Sequence, residues 1–245
     1  MYFSHGNLQF KATTNTWKFA DNQYDCIGGF NSNISSTYNG WIDLFGWGTS
    51  GYNHGANCYQ PWSTSTTSSG YYAYGNYTYN LYDQTGMADW GYNPISNGGN
   101  IPNAWRTLTQ PEWSYLFNTR ATASGIRYAK AQVNGVNGVI LLPDDWSPST
   151  YNLNNVNTSS ASFSSNTITV SQWTTLENAG AVFLPVTGRR YGTSIDWVSS
   201  YGGYWAAEHG NDSDAGSFYF NNSNLNTSNN YPRYYGRAVR LVFPL

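Results

Sequence analysis

Two short apolar runs, Ala181-Val182-Phe183-Leu184-Pro185 and Arg237-Ala238-Val239-Arg240-Leu241-Val242, bracket a patch of Tyr, Asn, Ser, Gly and Asp. The runs read as buried strands of a fixed scaffold. Between them, small polar residues space out Tyr191, Tyr201, Tyr204, Trp205, Phe218, Tyr219, Tyr231, Tyr234 and Tyr235. Tyr offers a large contact area with few rotors to freeze, and Ser, Gly and Asn offer adaptable hydrogen bonding. That composition belongs to a binding surface and is poor in the residues that catalysis uses.

The rest of the chain agrees with a neutral, aromatic exterior. Only 10% of the 245 residues are charged, against about 25% in an ordinary soluble protein. Aromatics reach 18%, with 22 Tyr and 11 Trp, which excludes a disordered chain. Such a surface suits an extracellular or virion protein with a loop-rich, β-containing fold. The net charge of -2 and the scattered Lys and Arg provide no basic field for phosphates, so nucleic acid is excluded as a partner. No apolar run approaches the roughly 18 residues of a membrane span, which argues against direct membrane insertion. Met1-Tyr2-Phe3-Ser4-His5 has neither the basic start nor the apolar core of a signal peptide. The expectation is export by another route, or a fragment that has lost a leader or anchor. Cys26 and Cys58 are either paired or buried thiols, and neither has a His at a nucleophile's spacing.

Along the chain, Leu8 to Ala12 and Trp17 to Phe19 alternate about the turn Thr13-Thr14-Asn15-Thr16, a hairpin. Gly40 to Gly48 reads as an aromatic strand or core loop. Ser63 to Asn100 has hardly an aliphatic residue and reads as an irregular excursion packed by its own aromatics. Thr107-Leu108-Thr109-Gln110-Pro111-Glu112 carries a Thr cap, a first-turn Pro and an early Glu, the start of a helix. Trp113, Leu116 and Phe117 then share one buried face. Strands are expected at Ile126–Ala131, Gly138–Pro143, Val182–Pro185 and Ala238–Phe243, and a second helix at Ser171–Ala179 with Trp173 and Leu176 inward. The Asn-rich tracts 152–166 and 221–230 read as loops. No period of 20–50 residues repeats, which excludes a solenoid or propeller.

Three segments in order carry a resemblance. Trp105-Arg106-Thr107-Leu108-Thr109-Gln110-Pro111-Glu112-Trp113-Ser114-Tyr115-Leu116 resembles the strand–helix signature of the formylglycine-generating-enzyme branch of the C-type-lectin fold. Gly138-Val139-Ile140-Leu141-Leu142-Pro143-Asp144-Asp145-Trp146 is similar to the middle strand and turn of related bacterial surface domains. Gly202-Gly203-Tyr204-Trp205-Ala206-Ala207, with Gly236 to Val242, is similar to that fold's C-terminal half. The match covers roughly residues 100–245 and is less sharp before them. Within that branch the chain most resembles the variable proteins of diversity-generating retroelements of bacteria and their phages. In that family adenine-directed mutagenesis rewrites Asn codons of the C-terminal stretch while the scaffold stays fixed. Asn221, Asn222, Asn224, Asn226, Asn229 and Asn230 fit surviving template codons; Trp197 and Glu208 do not arise from an Asn codon by adenine changes.

The resemblance implies a single α+β domain of C-type-lectin type over 1–245, with two helices, short mixed or antiparallel strands and extensive irregular loops. Residues 1–100 form an N-terminal extension with inserted loops, 101–188 the scaffold and 189–245 a variable ligand-binding region. The ligand contacts expected there are Tyr191, Asp196, Tyr201, Gly203, His209, Asn211, Asp214, Phe218, Tyr231, Tyr234 and Tyr235, converging on one exposed face. The implied partner is a protein or glycan receptor on a cell surface, and the implied location a bacterial surface or phage virion. Tyr204 and Trp205 sit in the matched motif and read as scaffold.

Blander and sharper readings compete at several positions. The Tyr-rich window also fits a plain wet surface; its density of rigid rings favours an interaction patch. Asn211, Asp212 and Asp214 offer calcium the oxygens it prefers, yet the tract lacks an EF-hand's further acids and the Glu-Pro-Asn or Gln-Pro-Asp sugar motif. A solvated turn without metal is the expectation. Asp144 and Asp145 are adjacent at a strand end and point apart, which disfavours a catalytic dyad. Formylglycine-type oxidation needs two cysteines in the C-terminal half, and none follows Cys58. The sequence therefore argues for a binding protein without cofactor rather than an enzyme. A non-diversified bacterial surface or fimbrial adhesin domain of the same fold is the second reading, and a formylglycine-type or carbohydrate-active enzyme a distant third.

Overall fold

The computed structural model describes residues 1–52 and 59–244. The chain opens with strand β1 (Tyr2–Phe3) and the expected hairpin of β2 (Leu8–Lys11) and β3 (Thr16–Phe19). Asn15 closes its turn at φ 47. Alternation decides what that hairpin buries: Leu8, Phe10, Trp17 and Phe19 all enter the core.

Among the described residues from there to β4 (Arg106–Thr107), the backbone makes only short 3-10 turns and isolated bridges. The segment around Trp47 is a core loop rather than a strand, tied by bridges Phe10↔Ile42 and Phe45↔Arg237. Its indole donates to the Ala206 carbonyl at 2.9 Å. The aromatic excursion packs partly on itself, with Tyr72 touching Tyr77 and Tyr74 touching Tyr79 at ring separations of 6.0 and 6.3 Å. It also packs on the C-terminal half: Trp90, Ile95, Trp205, Ala215, Val239 and Leu241 belong to one cluster with the first hairpin. Cys26 is a half-buried free thiol, pushed up to about 12 by burial and then by Asp43 and Asp25; Cys58 lies outside the described residues.

Helix α1 (Gln110–Ser114) begins where its cap predicts. The Thr109 hydroxyl accepts from the Glu112 amide, and the Glu112 carboxylate accepts from the Thr109 amide at 2.8 Å. Such reciprocal capping satisfies two otherwise orphaned donors. The chain continues as a π turn over Tyr115–Thr119, burying Trp113, Leu116 and Phe117 together.

Strands β5 (Tyr128–Val133) and β6 (Val136–Leu141) form a tight antiparallel hairpin. Strand β7 (Thr167–Ile168) joins β5 in parallel and leads into α2 (Val170–Asn178), capped by Thr169 and Gln172. Strand β8 (Val182–Pro185) pairs with β6 and completes a four-stranded sheet in the order β7-β5-β6-β8. One face of this sheet meets α2 through Val133, Ile140, Trp173 and Leu176. The other, with Val139 and Leu184, meets α1 and the C-terminal sheet.

The remaining strands form the C-terminal part. β9 (Arg189–Tyr191) pairs with β10 (Ser194–Asp196). β11 (Tyr201–His209), β12 (Asp214–Asn221) and β13 (Leu225–Pro232) make an antiparallel meander, and β14 (Leu241–Phe243) lies between β1 and β4. The closing strand is thus shorter than expected, because Ala238 bridges Tyr204 and leaves the ladder to Leu241 onward. The tract 221–230 corrects the sequence reading outright, since β13 begins at Leu225. An Asn- and Ser-rich edge strand shows no apolar period; its structure comes from pairing with β12 and from α1, whose Gln110 donates to the Asn229 carbonyl at 2.9 Å. Overall the chain is a mixed α+β fold with few helices, several small, mostly antiparallel sheets and much irregular backbone. No helix among the described residues is long and apolar enough to cross a membrane.

Candidate functional site

Alternation along β9 splits neighbours between core and surface. Arg190 is fully buried, its guanidinium donating to the Gly192 carbonyl at 2.6 Å, while Arg189 and Tyr191 turn outward. The Arg190↔Gly236 bridge lays the 234–236 loop against β9. A Cβ at Gly236 would stand 2.8 Å from that of Arg190, so only glycine allows this approach.

The approach assembles a continuous set of rings. Tyr191 contacts Tyr234 and Tyr235 at 5.6 and 5.3 Å, and Tyr235 contacts Tyr231 at 5.0 Å. Arg189 links this group to the next, its guanidinium 3.7 Å from the Trp197 ring and 4.8 Å from Tyr235. Trp197 leans on Tyr201 at 5.3 Å, and Tyr201 stacks on Tyr219 at 5.5 Å. Beneath them lies Arg237, fully buried, 3.7 Å from the Tyr231 ring and donating to the Tyr201 hydroxyl at 2.7 Å. Arginine stacked on aromatic faces while bonding in its plane is well suited to such packing.

Four of the expected contacts, Tyr191, Tyr231, Tyr234 and Tyr235, therefore meet on one surface. Asp196 joins them at the edge, 3.7 Å from Arg189. Tyr201 is only 8% exposed and serves as the floor of the array; burial pushes its pKa up. Gly203 is a correction: it is buried, and its missing side chain makes room for Arg237, which would lie 2.7 Å from a Cβ there. Phe218 is a second correction. It is 0% exposed, on the opposite face of β12, stacked on Trp113 at 5.0 Å. Period 2 sends Phe218 and Phe220 inward and leaves Tyr219 half-buried on the ring side.

His209, Asn211 and Asp214 gather instead at the β11–β12 turn. His209 Nδ1 lies 2.8 Å from the Asn80 amide oxygen. Asn211 accepts from the Ser213 and Asp214 amides, and its own amide donates to the Asp214 carboxylate at 3.1 Å. This is a self-satisfied turn whose Asn211 carbonyl also accepts from Arg233 at 2.6 Å. Asp214 still reaches the ring array electrostatically: Tyr234 is raised by burial first, then by Tyr235, Tyr191 and Asp214.

The expected contact set left out Arg189, Trp197 and Tyr219, of which only Tyr219 was among the rings of the window. Trp197 is 49% exposed at φ 58, a large ring displayed from a turn. No distinct signal in the sequence marks it, since Ile195 and Trp197 alternate as a strand face would. Comparison with protein-family models, with curated proteins and with solved structures finds no significant match to this chain.

Proposed function

We propose that this chain is a C-type-lectin-like binding protein of the retroelement-diversified kind, recognising a receptor on a cell surface through its C-terminal ring array. The order of its parts supports the lectin-like reading: a capped helix after β4, the β5–β6 hairpin, then the β11–β13 meander closed by β14. The observation that carries the binding reading is the convergence of Tyr191, Tyr231, Tyr234 and Tyr235 with Trp197, from four separate parts of the chain, around Arg189. Rigid amphipathic rings gathered at a surface are the usual anchors of protein recognition. The proposal is of recognition through these rings, with no chemistry assigned to them.

The gene provides the test. A near-copy of the coding sequence for 189–240 beside a reverse transcriptase gene, with adenine-directed variation at codons 191, 231, 234 and 235 among isolates, is the expected outcome. Identical codons in every isolate and no such repeat would overturn diversification. One observation favours the second reading, a fixed adhesin of the same fold: Trp197 stands at the centre of the array and does not arise from an Asn codon by adenine changes.

A further inference from the structure

Arg189 stands opposite Asp196 in the β9–β10 hairpin and is engaged on several sides. Its guanidinium is wedged between the Trp197 and Tyr235 rings and donates through Nη1 to the Tyr231 hydroxyl. Nη2 makes no hydrogen bond among the described residues; its nearest carboxylate, Asp196, stands 3.7 Å away, beyond hydrogen-bond length. The side chain is 17% exposed, so it is held rigid and remains reachable. Beneath it, Arg237 is fully buried with Nε and Nη1 unsatisfied, and no carboxylate pairs with it among the described residues. A buried charge is weakly screened. Two guanidiniums thus lie at this surface with one carboxylate within ion-pair range, Asp196 beside Arg189, and with Asp214 near Tyr234. On a chain of net charge -2 this surface is locally positive.

We propose that the ring array binds a protein partner by seating an Asp or Glu side chain on the Arg189 guanidinium, displacing Asp196. The inference rests on the reading of this surface as a binding face and adds the chemistry of the partner. With Nε buried and Nη1 given to Tyr231, a guanidinium fixed by stacking presents Nη2 as a charge-assisted donor to a carboxylate. A sugar is the poorer fit, because a sugar needs an open flat ring. Here the rings cover one another: Tyr191 and Tyr234 meet at 72°, Tyr231 and Tyr235 at 66°, and Arg189 occupies a face of both Trp197 and Tyr235.

A random peptide library, selected on the intact protein, tests this. Wild type should enrich peptides with a central Asp or Glu, and a synthetic Glu peptide should bind about tenfold tighter than its Gln twin, as for a desolvated charge pair. Arg189→Gln should abolish that preference, and Arg189→Lys should keep only part of it. Asp196→Asn, an exposed change that leaves folding alone, should strengthen Glu-peptide binding by removing the internal competitor. Equal binding of Glu and Gln peptides, or a preference that survives Arg189→Gln, overturns the proposal. If Tyr191→Ser with Tyr234→Ser ends all enrichment while Arg189→Gln changes nothing, the binding face stands and the acidic partner falls. If nothing is enriched, or no variant alters selection, both fall. Retention of carboxylated glycans but no peptides, on a parallel glycan array, overturns the protein assignment.

Discussion

Phe218 and Tyr219 are consecutive residues with opposite duties, one in the core against Trp113 and one on the ring surface over Tyr201. Replacing Phe218 by Ala should cost ~3–5 kcal/mol, the usual loss for a buried aromatic. Tyr191→Ser, at a residue 42% exposed, should stay within about 0.5 kcal/mol. Urea unfolding of the two variants checks the contrast. Asp43 gives a second test at this scale. It is fully buried, accepting from the Ile27 amide at 2.9 Å and the Asn31 amide group at 2.8 Å, and burial raises its pKa to about 6. A carboxyl whose folded pKa lies above its unfolded value of about 3.9 stabilises most below that value, and loses the contribution as pH rises through the folded pKa. Relative to Asp43→Asn, wild type should therefore lose stability between pH ~4 and ~6, and unfolding at closely spaced pH values measures the difference. Parallel curves would mean that Asp43 is charged in the fold. These residue-level roles were only half legible. Burial of Trp113, Leu116 and Phe117 follows from spacing, whereas Phe218 looked like one more ring in a polar window until its strand fixed the alternation.

Elements with chemical punctuation were readable and elements defined by their neighbours were not. The first helix announces itself through Thr109 with Glu112, whereas the second is expected from Trp173 and Leu176 and its cap, Thr169 with Gln172, starts it one residue earlier than the sequence reading placed it. Thr109→Ala should lower stability by ~1 kcal/mol, the common price of a lost cap, seen as a lower urea midpoint. Strand β13 has no such marks. Its turn from β12 is held instead by Lys130, a fully buried ammonium donating to the carbonyls of Ser159, Asn221 and Asn224 at 2.5, 2.6 and 3.2 Å. Burial lowers that lysine's pKa to about 8, so it is still charged at neutral pH. Lys130→Met should leave those carbonyls unpaired and cost ~2–3 kcal/mol. Amide exchange in 217–231 should speed up more than exchange in β5 and β6; a uniform change would show that the lysine does not hold this turn in particular.

At the scale of the molecule, the ring surface comes together from β9, the turn at Trp197, the meander and the 234–236 loop, which only the folded register brings side by side. Composition marked the window, but convergence depends on the Arg190↔Gly236 bridge, which leaves no trace in local sequence. Tyr191, Tyr234 and Tyr235 replaced together by Ser should shift the melting temperature by no more than a few degrees, as three surface changes of about 0.5 kcal/mol each would, while removing receptor binding. Loss of the fold would make those rings core. The buried arginines carry a different consequence. Arg190 grips the carbonyls of Leu44 and Gly192, and Arg233 those of Tyr77, Asn211 and Asp214. Each is a clasp between loops far apart in sequence. To release one loop alone would strand a guanidinium among carbonyls it no longer satisfies, in a medium that screens it poorly. Loops fastened in this way lack the inexpensive private openings that proteases exploit, so a chain that is largely loop should resist digestion as long as a helical bundle would, and then give way all at once.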